Sequence, residues 1–410
     1  MQNSEKQRIL IVDDATENID IITGVLTEYK KSVATNGEKA LEIAFSANPP
    51  DLILLDIMMP GIDGYEVCRR LKADDRTKHI PVIFLTGESG SESVVKGFGL
   101  GAVDYVTKPF NISELLARVN TQMALKSSQD AIVRYTKALI EKNKQITDSI
   151  NYAKRIQNAV LPAEHDLSEA LKEHFVFYKP KDIVSGDFYW ISQTDGKVIL
   201  ATADCTGHGV PGAFMSMLSI TLLNEIVNKD GITNPGEVLQ RLRKEVINSL
   251  QQKGESLEQR DGMDVALCTV DFKQKKLWYS GANNSLYLVR KSGLPNVGTL
   301  RAESGTDEVL YEIGGDKMPV AINEVMDDFS VHEMGIYPGD SFYFFSDGYP
   351  DQFNALDSKK FGYRRLRDLL LKHSALPMAE QKEIYKKSLS EWMGKNEQID
   401  DVLLTGFRVG

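Results

Sequence analysis

Cysteine is scarce: Cys68, Cys205 and Cys268 are the only three in 410 residues, and no CxxC pair occurs. That scatter argues against a zinc site and against a disulfide framework, and a reducing cytoplasm is the expected setting. Long apolar runs are also lacking. The opening MQNSEKQR has no apolar h-region, so no secretory leader is expected, and no run reads as the roughly 18–20 residues of a membrane span. Positive charge is in deficit, with 48 Lys and Arg against 58 Asp and Glu, a formal charge of −10. Nucleic-acid binding as the main activity is disfavoured, and no helix-turn-helix, zinc finger or RNA-binding signature is present. Nothing therefore supports a DNA-binding output.

What is present fits two or three domains, each long enough to bury its own core. In the first 124 residues, apolar runs alternate with helical patterns. RILIVDD precedes a helix from Glu17, DLILLDI one from Asp63, PVIFLTG one near Ser91, and AVDYVTK one from Ile112. A short strand around Ser32–Ala34 fits between the first two helices. Continuous β-branched and leucine runs between helices predict a parallel sheet covered on both faces, with chemistry at the carboxyl ends of its strands. Asp13, Asp14, Asp56, Thr86 and Lys108 all fall there. Any one of them alone reads equally well as a solvated loop-end residue. Together, three carboxylates would repel unless a cation joined them, and hydrated Mg²⁺ suits that inventory. Asp56 is then a candidate nucleophile towards phosphorus, with Lys108 and Thr86 as partners for phosphoryl oxygens.

The DD pair, LLDIMMPGIDG, FLTG and DYVTKPF occur in that order, and residues 8–124 resemble the receiver domain of two-component response regulators. The resemblance implies a CheY-like (βα)₅ doubly wound fold, with Asp56 accepting phosphate from a partner histidine kinase. It also implies Mg²⁺ held by Asp14, Asp56 and the Met58 carbonyl, with Asp13 assisting. Thr86 and Tyr105 would form the switch pair. Lys108 precedes Pro109, and that peptide is typically cis in this family.

From Ser113 to Leu161 there is neither proline nor glycine to break a helix. Leu125, Ile132, Leu139, Ile146, Ala153 and Val160 recur every seven residues, while the companion stripe mixes Tyr135 and Ile156 with Lys142 and Ser149. The pattern predicts a marginal coiled-coil linker over 125–165 that joins two copies of the chain. A single helix packed along one domain is the alternative. The run SINYAKRIQNAVLP resembles the helix that precedes phosphatase domains in a large bacterial family.

Beyond Pro162 the pattern changes to strands joined by short turns. HFVFYKP, DFYWISQ, KVILATAD, DVALCTVDF, KLWYSGA, SLYLVRK and DSFYFFSD read as strands, and helices are expected at about 211–228, 235–252 and towards 363–393. An α+β layered fold is expected over 166–410. Acids again border strands: Asp187, Asp204, Asp264, Asp347 and the pair Asp400–Asp401. Singly, each reads as an ordinary turn acid. As a set without histidine or thiolate companions they suggest Mg²⁺ or Mn²⁺, and two such ions could activate water for in-line attack on phosphorus.

SGDFYW, ADCTGHGVPGAFMSM, SGANNSLYLV, FFSDGY and DDVLL, in that order, resemble the type 2C metal-dependent protein phosphatases, more closely their SpoIIE/RsbU-like branch. The resemblance implies two stacked antiparallel sheets flanked by helices, and two metal ions between the sheet edges. By position, Asp204 would bridge both metals, Asp187 and the Cys205 carbonyl would complete one shell, and Asp347 and Asp400 would hold the other. Asp401 and Asp264 are secondary candidates. His208 stands four residues after Asp204 rather than two, and reads as a turn residue or helix cap. The eukaryotic phosphate-binding arginine has no clear equivalent; Lys181 or the helix start at Gly209–Gly212 is the nearest positive feature.

The combined expectation is a response regulator whose receiver controls a serine/threonine phosphatase. The resemblance implies a phosphorylated regulatory protein of the anti-sigma-factor-antagonist type as substrate. The alternative is a phosphorylation-controlled binding platform without turnover.

Overall fold

A computed structural model of the chain describes residues 6–87, 91–253, 261–303 and 307–410. Two compact units divide it, Met1–Asn143 and Lys144–Gly410.

The first unit carries five parallel strands, β1 (Arg8–Val12), β2 (Lys30–Ala34), β3 (Leu52–Asp56), β4 (Val82–Thr86) and β5 (Asp104–Thr107), in the order β2-β1-β3-β4-β5. Leu, Ile and Val of the central strands are fully buried, because helices cover both faces. Those helices are α1 (Thr16–Val25), α2 (Gly37–Ala44), α3 (Gly64–Ala73), α4 (Ser91–Gly99) and α5 (Ile112–Val160). The strand-and-helix pattern gave no sign of α2 between the second and third strands. Its local signal is a cap: the Asn36 side chain accepts the Lys39 N–H at 2.8 Å.

Helix α5 is unbroken over 49 residues. Leu115, Val119 and Met123, at i, i+4 and i+8, bury against Ile83, Leu85 and Val106. From Leu125 to Ile146 the heptad residues are exposed.

The second unit begins with α6 (Glu164–Ala170), β6 (Glu173–Lys179), β7 (Phe188–Thr194), β8 (Lys197–Cys205), α7 (Gly209–Leu223) and α8 (Pro235–Leu250). Strands β9 (Met263–Asp271), β10 (Lys276–Ala282), β11 (Leu286–Lys291), β12 (Thr299–Glu303), β13 (Glu308–Ile313), β14 (His332–Gly335) and β15 (Ser341–Phe345) follow. The chain ends with α9 (Gly348–Asp351), α10 (Tyr363–His373), α11 (Met378–Met393) and β16 (Val402–Arg408). Two antiparallel sheets result, β14-β10-β9-β8-β7 and β12-β13-β11-β15-β16-β6. Cys268, Val270 and Leu277 of one sheet pack with Leu288, Phe342 and Phe407 of the other. Helices α7 and α8 cover the outer face of the first sheet, and α10 and α11 that of the second. The layers therefore run helix, sheet, sheet, helix.

Several boundaries depart from the sequence reading. Strands β12, β13 and β14 were not anticipated. The helical stretch at 363–393 is two helices separated at Ser374–Pro377, where proline cannot continue the first. Helix α7 starts at Gly209 and passes into a π-helical turn, Asn224–Lys229. Together they make 21 residues that include an 18-residue window of mean hydropathy 1.4, so one run does have the length and composition of a membrane span, against expectation. Ile220, Leu223, Ile226 and Val227 are buried against the first sheet, the packing of a core helix.

Arg290 and Asp340 form an ion pair at 2.5 Å with each side chain 1% exposed. Arg290 also donates to the carbonyls of Pro295 and Gly335. Asp340→Ala would strand a buried guanidinium, so it should destabilise this unit by about 3–5 kcal/mol. All three tryptophans, Trp190, Trp278 and Trp392, lie in this unit. Urea unfolding followed by tryptophan fluorescence reads the loss.

Candidate functional site

At the carboxyl edge of the parallel sheet, Asp13, Asp14 and Asp56 each offer an oxygen within 4.8 Å of the others. Asp13 and Asp56 are buried and Asp14 is exposed. Lys108 reaches Asp13 at 2.7 Å and Asp56 at 2.8 Å. Asp13 is further fixed by the Ala15 N–H at 3.0 Å and the Asn18 amide at 2.9 Å. Burial raises the Asp56 carboxyl above its ordinary range, and the Asp13 charge adds to that; the Lys108 ammonium opposes both. A Cβ on Gly64 would lie 2.2 Å from the Asp56 carbonyl oxygen, so glycine there lets α3 start against the end of β3.

Thr86 ends β4, and Thr86 and Tyr105 line one small cavity with Phe84, Phe98 and Ala102. The half-buried Tyr105 ring meets Phe98 edge-on at 6.2 Å and lies beneath the Arg118 guanidinium at 5.3 Å. The Lys108–Pro109 peptide is cis. Met58 is exposed beside Asp56.

In the second unit, β8 ends and β16 begins near the turn after β15, and their acids gather from both sheets. Asp204 is the shared member, close enough to Asp187 and Asp347 to feel the charge of each. Asp187 is buried, and its Oδ2 accepts the Ser346 hydroxyl at 2.5 Å; the Ser346 oxygen itself accepts the Leu403 N–H. Asp347 is exposed at the start of α9. The Asp400 carboxylate accepts the Asp401 N–H at 2.8 Å. Asp401 is buried and fully occupied: one oxygen takes the Lys181 N–H and the other the Gly186 N–H, each at 2.7 Å. Asp264 faces Asp204 in the β8–β9 register and accepts the Asn283 amide at 2.8 Å.

Burial pushes Asp204 well above the ordinary carboxylate range, and the charges of Asp187, Asp347, Asp400 and Asp264 push it further. Asp187 is raised well above it too, by burial first and by Asp401 and Asp400 next, with the Ser346 hydroxyl pulling the other way. Asp347, although exposed as a residue, is raised by the desolvation of its carboxyl within the cluster and by the Asp400 charge. Among the described residues no lysine or arginine pairs with Asp187, Asp204, Asp347 or Asp400. These acids are more spread than the receiver's: no three of them meet the same 4.8 Å closeness among the described residues. Burial also pushes the Cys205 thiol well up, so it stays neutral and only its carbonyl resembles a hard-ion ligand.

Glycine contacts bring these segments together. A Cβ on Gly348 would meet the Asp401 carbonyl oxygen at 1.9 Å, one on Gly186 the Gly207 oxygen at 2.5 Å, and one on Gly212 the same oxygen at 2.3 Å. His208 is the residue before α7 but makes no side-chain cap. Its Nδ1 pairs with Asp182 at 2.6 Å, and its Nε2 with the Lys181 ammonium at 3.0 Å. Ser346 was not singled out from the sequence, although FFSDG contains it.

The family model for stage II sporulation protein E (SpoIIE) matches residues 194–410, more than half of the chain. This chain belongs to the SpoIIE family. The response regulator receiver domain model matches residues 9–120. Asp187 lies just before the SpoIIE-matched residues. The SiaA PP2C domain of Pseudomonas aeruginosa is similar in structure, with a TM-score of 0.56 and 31% identity over 66% of this chain and 99% of that one. A probable cyclic di-GMP phosphodiesterase of Vibrio cholerae is 41% identical over 41% of this chain, and the response regulator PleD of Caulobacter vibrioides 45% over 28%. The chain spans 38% and 25% of those two proteins.

A SpoIIE-type domain implies divalent metal ions in general, and an all-carboxylate set raised by mutual repulsion fits them. A carboxyl with a raised folded-state value stabilises the fold below the ordinary carboxylate range and loses that contribution as pH rises through the raised value. Metal-free protein should therefore lose stability in its second unit as pH rises from the acidic side. Asp204→Asn should flatten that dependence, and added Mn²⁺ should reverse it only where Asp204 is present. Melting curves read by tryptophan fluorescence across pH, with and without chelator, test both.

Proposed function

We propose that this chain is a response regulator whose receiver controls a metal-dependent phosphoserine/phosphothreonine phosphatase. Asp56 accepts a phosphoryl group from a partner histidine kinase. Asp13, Asp14, Asp56 and the Met58 carbonyl are the ligand set for Mg²⁺, and Lys108 stabilises the phosphoryl oxygens. Thr86 and Tyr105 carry the switch, and their shared cavity supports that reading.

In the second unit, Asp204 is the bridging ligand, Asp187 and the Cys205 carbonyl serve one ion, and Asp347 and Asp400 the other. Two Mn²⁺ or Mg²⁺ ions held there would supply an activated water for in-line attack on phosphorus. The observation that carries this reading is the convergence of Asp187, Asp204, Asp347 and Asp400 from two sheets with no cationic side chain among the described residues paired to them. Ser346 orients Asp187, and Asp401 holds the loop that carries it. Asp264 orders the neighbouring strand through Asn283. The Lys181–His208 pair supplies positive charge beside the glycine turn.

Two copies join through the exposed heptad residues of α5, as a marginal coiled coil over 125–165 between a receiver at 1–124 and a phosphatase at 166–410. The substrate is a phosphorylated regulatory protein, of the anti-sigma-factor-antagonist type by family likeness, and the setting is the cytoplasm. Neither nucleic acid nor membrane is a partner in this reading.

Hydrolysis of p-nitrophenyl phosphate with Mn²⁺ tests the proposal on wild type, Asp204→Ala and Asp56→Ala, each with and without beryllofluoride. Asp204→Ala should lose at least about 100-fold in rate. The mimic should change the rate only where Asp56 is present. No metal-dependent turnover in any state, with phosphoprotein substrates included, would instead assign the domain to binding without catalysis.

A further inference from the structure

The segment that follows β13 crosses the end of the first sheet where the acids gather. Asp316 fixes one side of the crossing. It bridges Ala282 at the end of β10, its N–H donates to the Gly281 carbonyl at 2.8 Å, and its carbonyl accepts the Asn283 N–H at 2.7 Å. Val320 fixes the other side, its N–H donating to the carbonyl of Met263, the first residue of β9, at 2.9 Å. Met318 and Val320 are buried with residues of α7 and α8. Lys317, between these anchors, is exposed.

Asp264 is the acid that the crossing passes. It follows Met263 in β9, pairs with Asp204 in the β8–β9 register, and is held by the Asn283 amide at 2.8 Å. Burial raises its carboxyl, and the Asn283 amide and the Lys317 charge both pull it back. Lys317 therefore brings positive charge to the border of the acid cluster. Among the described residues no carboxylate lies within ion-pair distance of its ammonium. The adjacent Asp316 carboxylate is taken up by Ser330, whose N–H donates at 2.7 Å and whose hydroxyl donates at 2.9 Å. Lys181 differs. Its ammonium lies 3.0 Å from His208 Nε2, and Asp182 on Nδ1 supplies the opposing charge.

A phosphate monoester is a dianion, and a cluster of carboxylates repels it. During in-line attack, charge spreads over the phosphoryl oxygens that are neither attacked nor leaving, and a preorganised cation beside them lowers the barrier. A lysine ammonium, a point charge with three donors, suits that task. We propose that Lys317 binds the non-reacting phosphoryl oxygens of the substrate. This rests on the metal-site reading above, and it assigns phosphate recognition to the segment after β13 rather than to the glycine turn. Because the backbone is pinned on both sides of Lys317, only its side chain has to reach.

Hydrolysis of p-nitrophenyl phosphate by the full chain at saturating Mn²⁺, with inorganic phosphate as competing ligand, tests it. Lys317→Met should lower kcat/KM and raise the inhibition constant for phosphate, each by about 10–100-fold, the worth of one charge-assisted hydrogen bond. Lys317→Arg keeps the charge and should recover most of both. Lys291 is exposed at the end of β11 that lies towards the start of β15, away from Asp347. Lys291→Met removes the same charge and should behave as wild type. Calorimetric Mn²⁺ titration separates phosphate binding from ion binding: Lys317→Met should take up Mn²⁺ at least as tightly as wild type, because a positive charge has left. An unchanged phosphate constant in Lys317→Met overturns the inference. So does an equal change in Lys291→Met, a Lys317→Arg protein as impaired as Lys317→Met, or a loss accounted for by weaker Mn²⁺ binding. Wild type no faster than Asp204→Ala is a different result, and would overturn the metal-site reading and this inference with it.

Discussion

Like charge forced together at strand ends is the constraint on which both units turn. Buried carboxylates cost folding free energy unless something positive meets them. The receiver meets its own partly from within, since Lys108 touches both Asp13 and Asp56. The C-terminal cluster has no such partner among the described residues, and its burial and mutual repulsion raise three of its acids together. The receiver's acids are therefore partly offset as they stand, whereas those of the C-terminal cluster face chiefly one another.

Concentrating those acids requires backbones to approach more closely than side chains permit. Gly348 lies on the Asp401 carbonyl, and Gly186 and Gly212 both lie on the Gly207 carbonyl. None of these three needs a left-handed backbone; each is glycine because a Cβ would collide. Gly64 does the same beside Asp56. Gly186 of SGD, Gly212 of GHGVPG and Gly348 of SDG thus act through closeness, whereas Gly207 and Gly209 take the left-handed backbone that glycine favours. Supporting polar groups then fix the acids, with Ser346 on Asp187 and Asp401 on the loop before it.

Helix α5 links these themes. Its first turns are receiver core, its middle is exposed along the heptad stripe, and its end delivers Gln157 to the backbone next to Asp187. A side-chain amide is a directional contact and is lost with a small rotation, whereas an apolar plug would tolerate one.

The sequence by itself determined the parallel sheet of the first unit, the unbroken helix from Ile112, and the acids that border strands. Those signals are local: apolar runs of strand length, a 49-residue stretch free of helix breakers, and short motifs with their acids in place. It also marked the layered α+β class of the second unit, but not α2, the edge strands β12 and β14, strand β13, or the split between α10 and α11, whose patterns are short and mixed. Only the tertiary structure decided that Asp204 feels the charges of Asp187, Asp347, Asp400 and Asp264 together, that both Asp401 oxygens accept backbone N–H groups, and that Gln157 meets the Ser185 backbone while Ser346 meets Asp187. Those facts depend on segments up to 220 positions apart, as in the Lys181–Asp401 bond. No local periodicity encodes such a meeting, because it is set by how two sheets stack and where their ends fall.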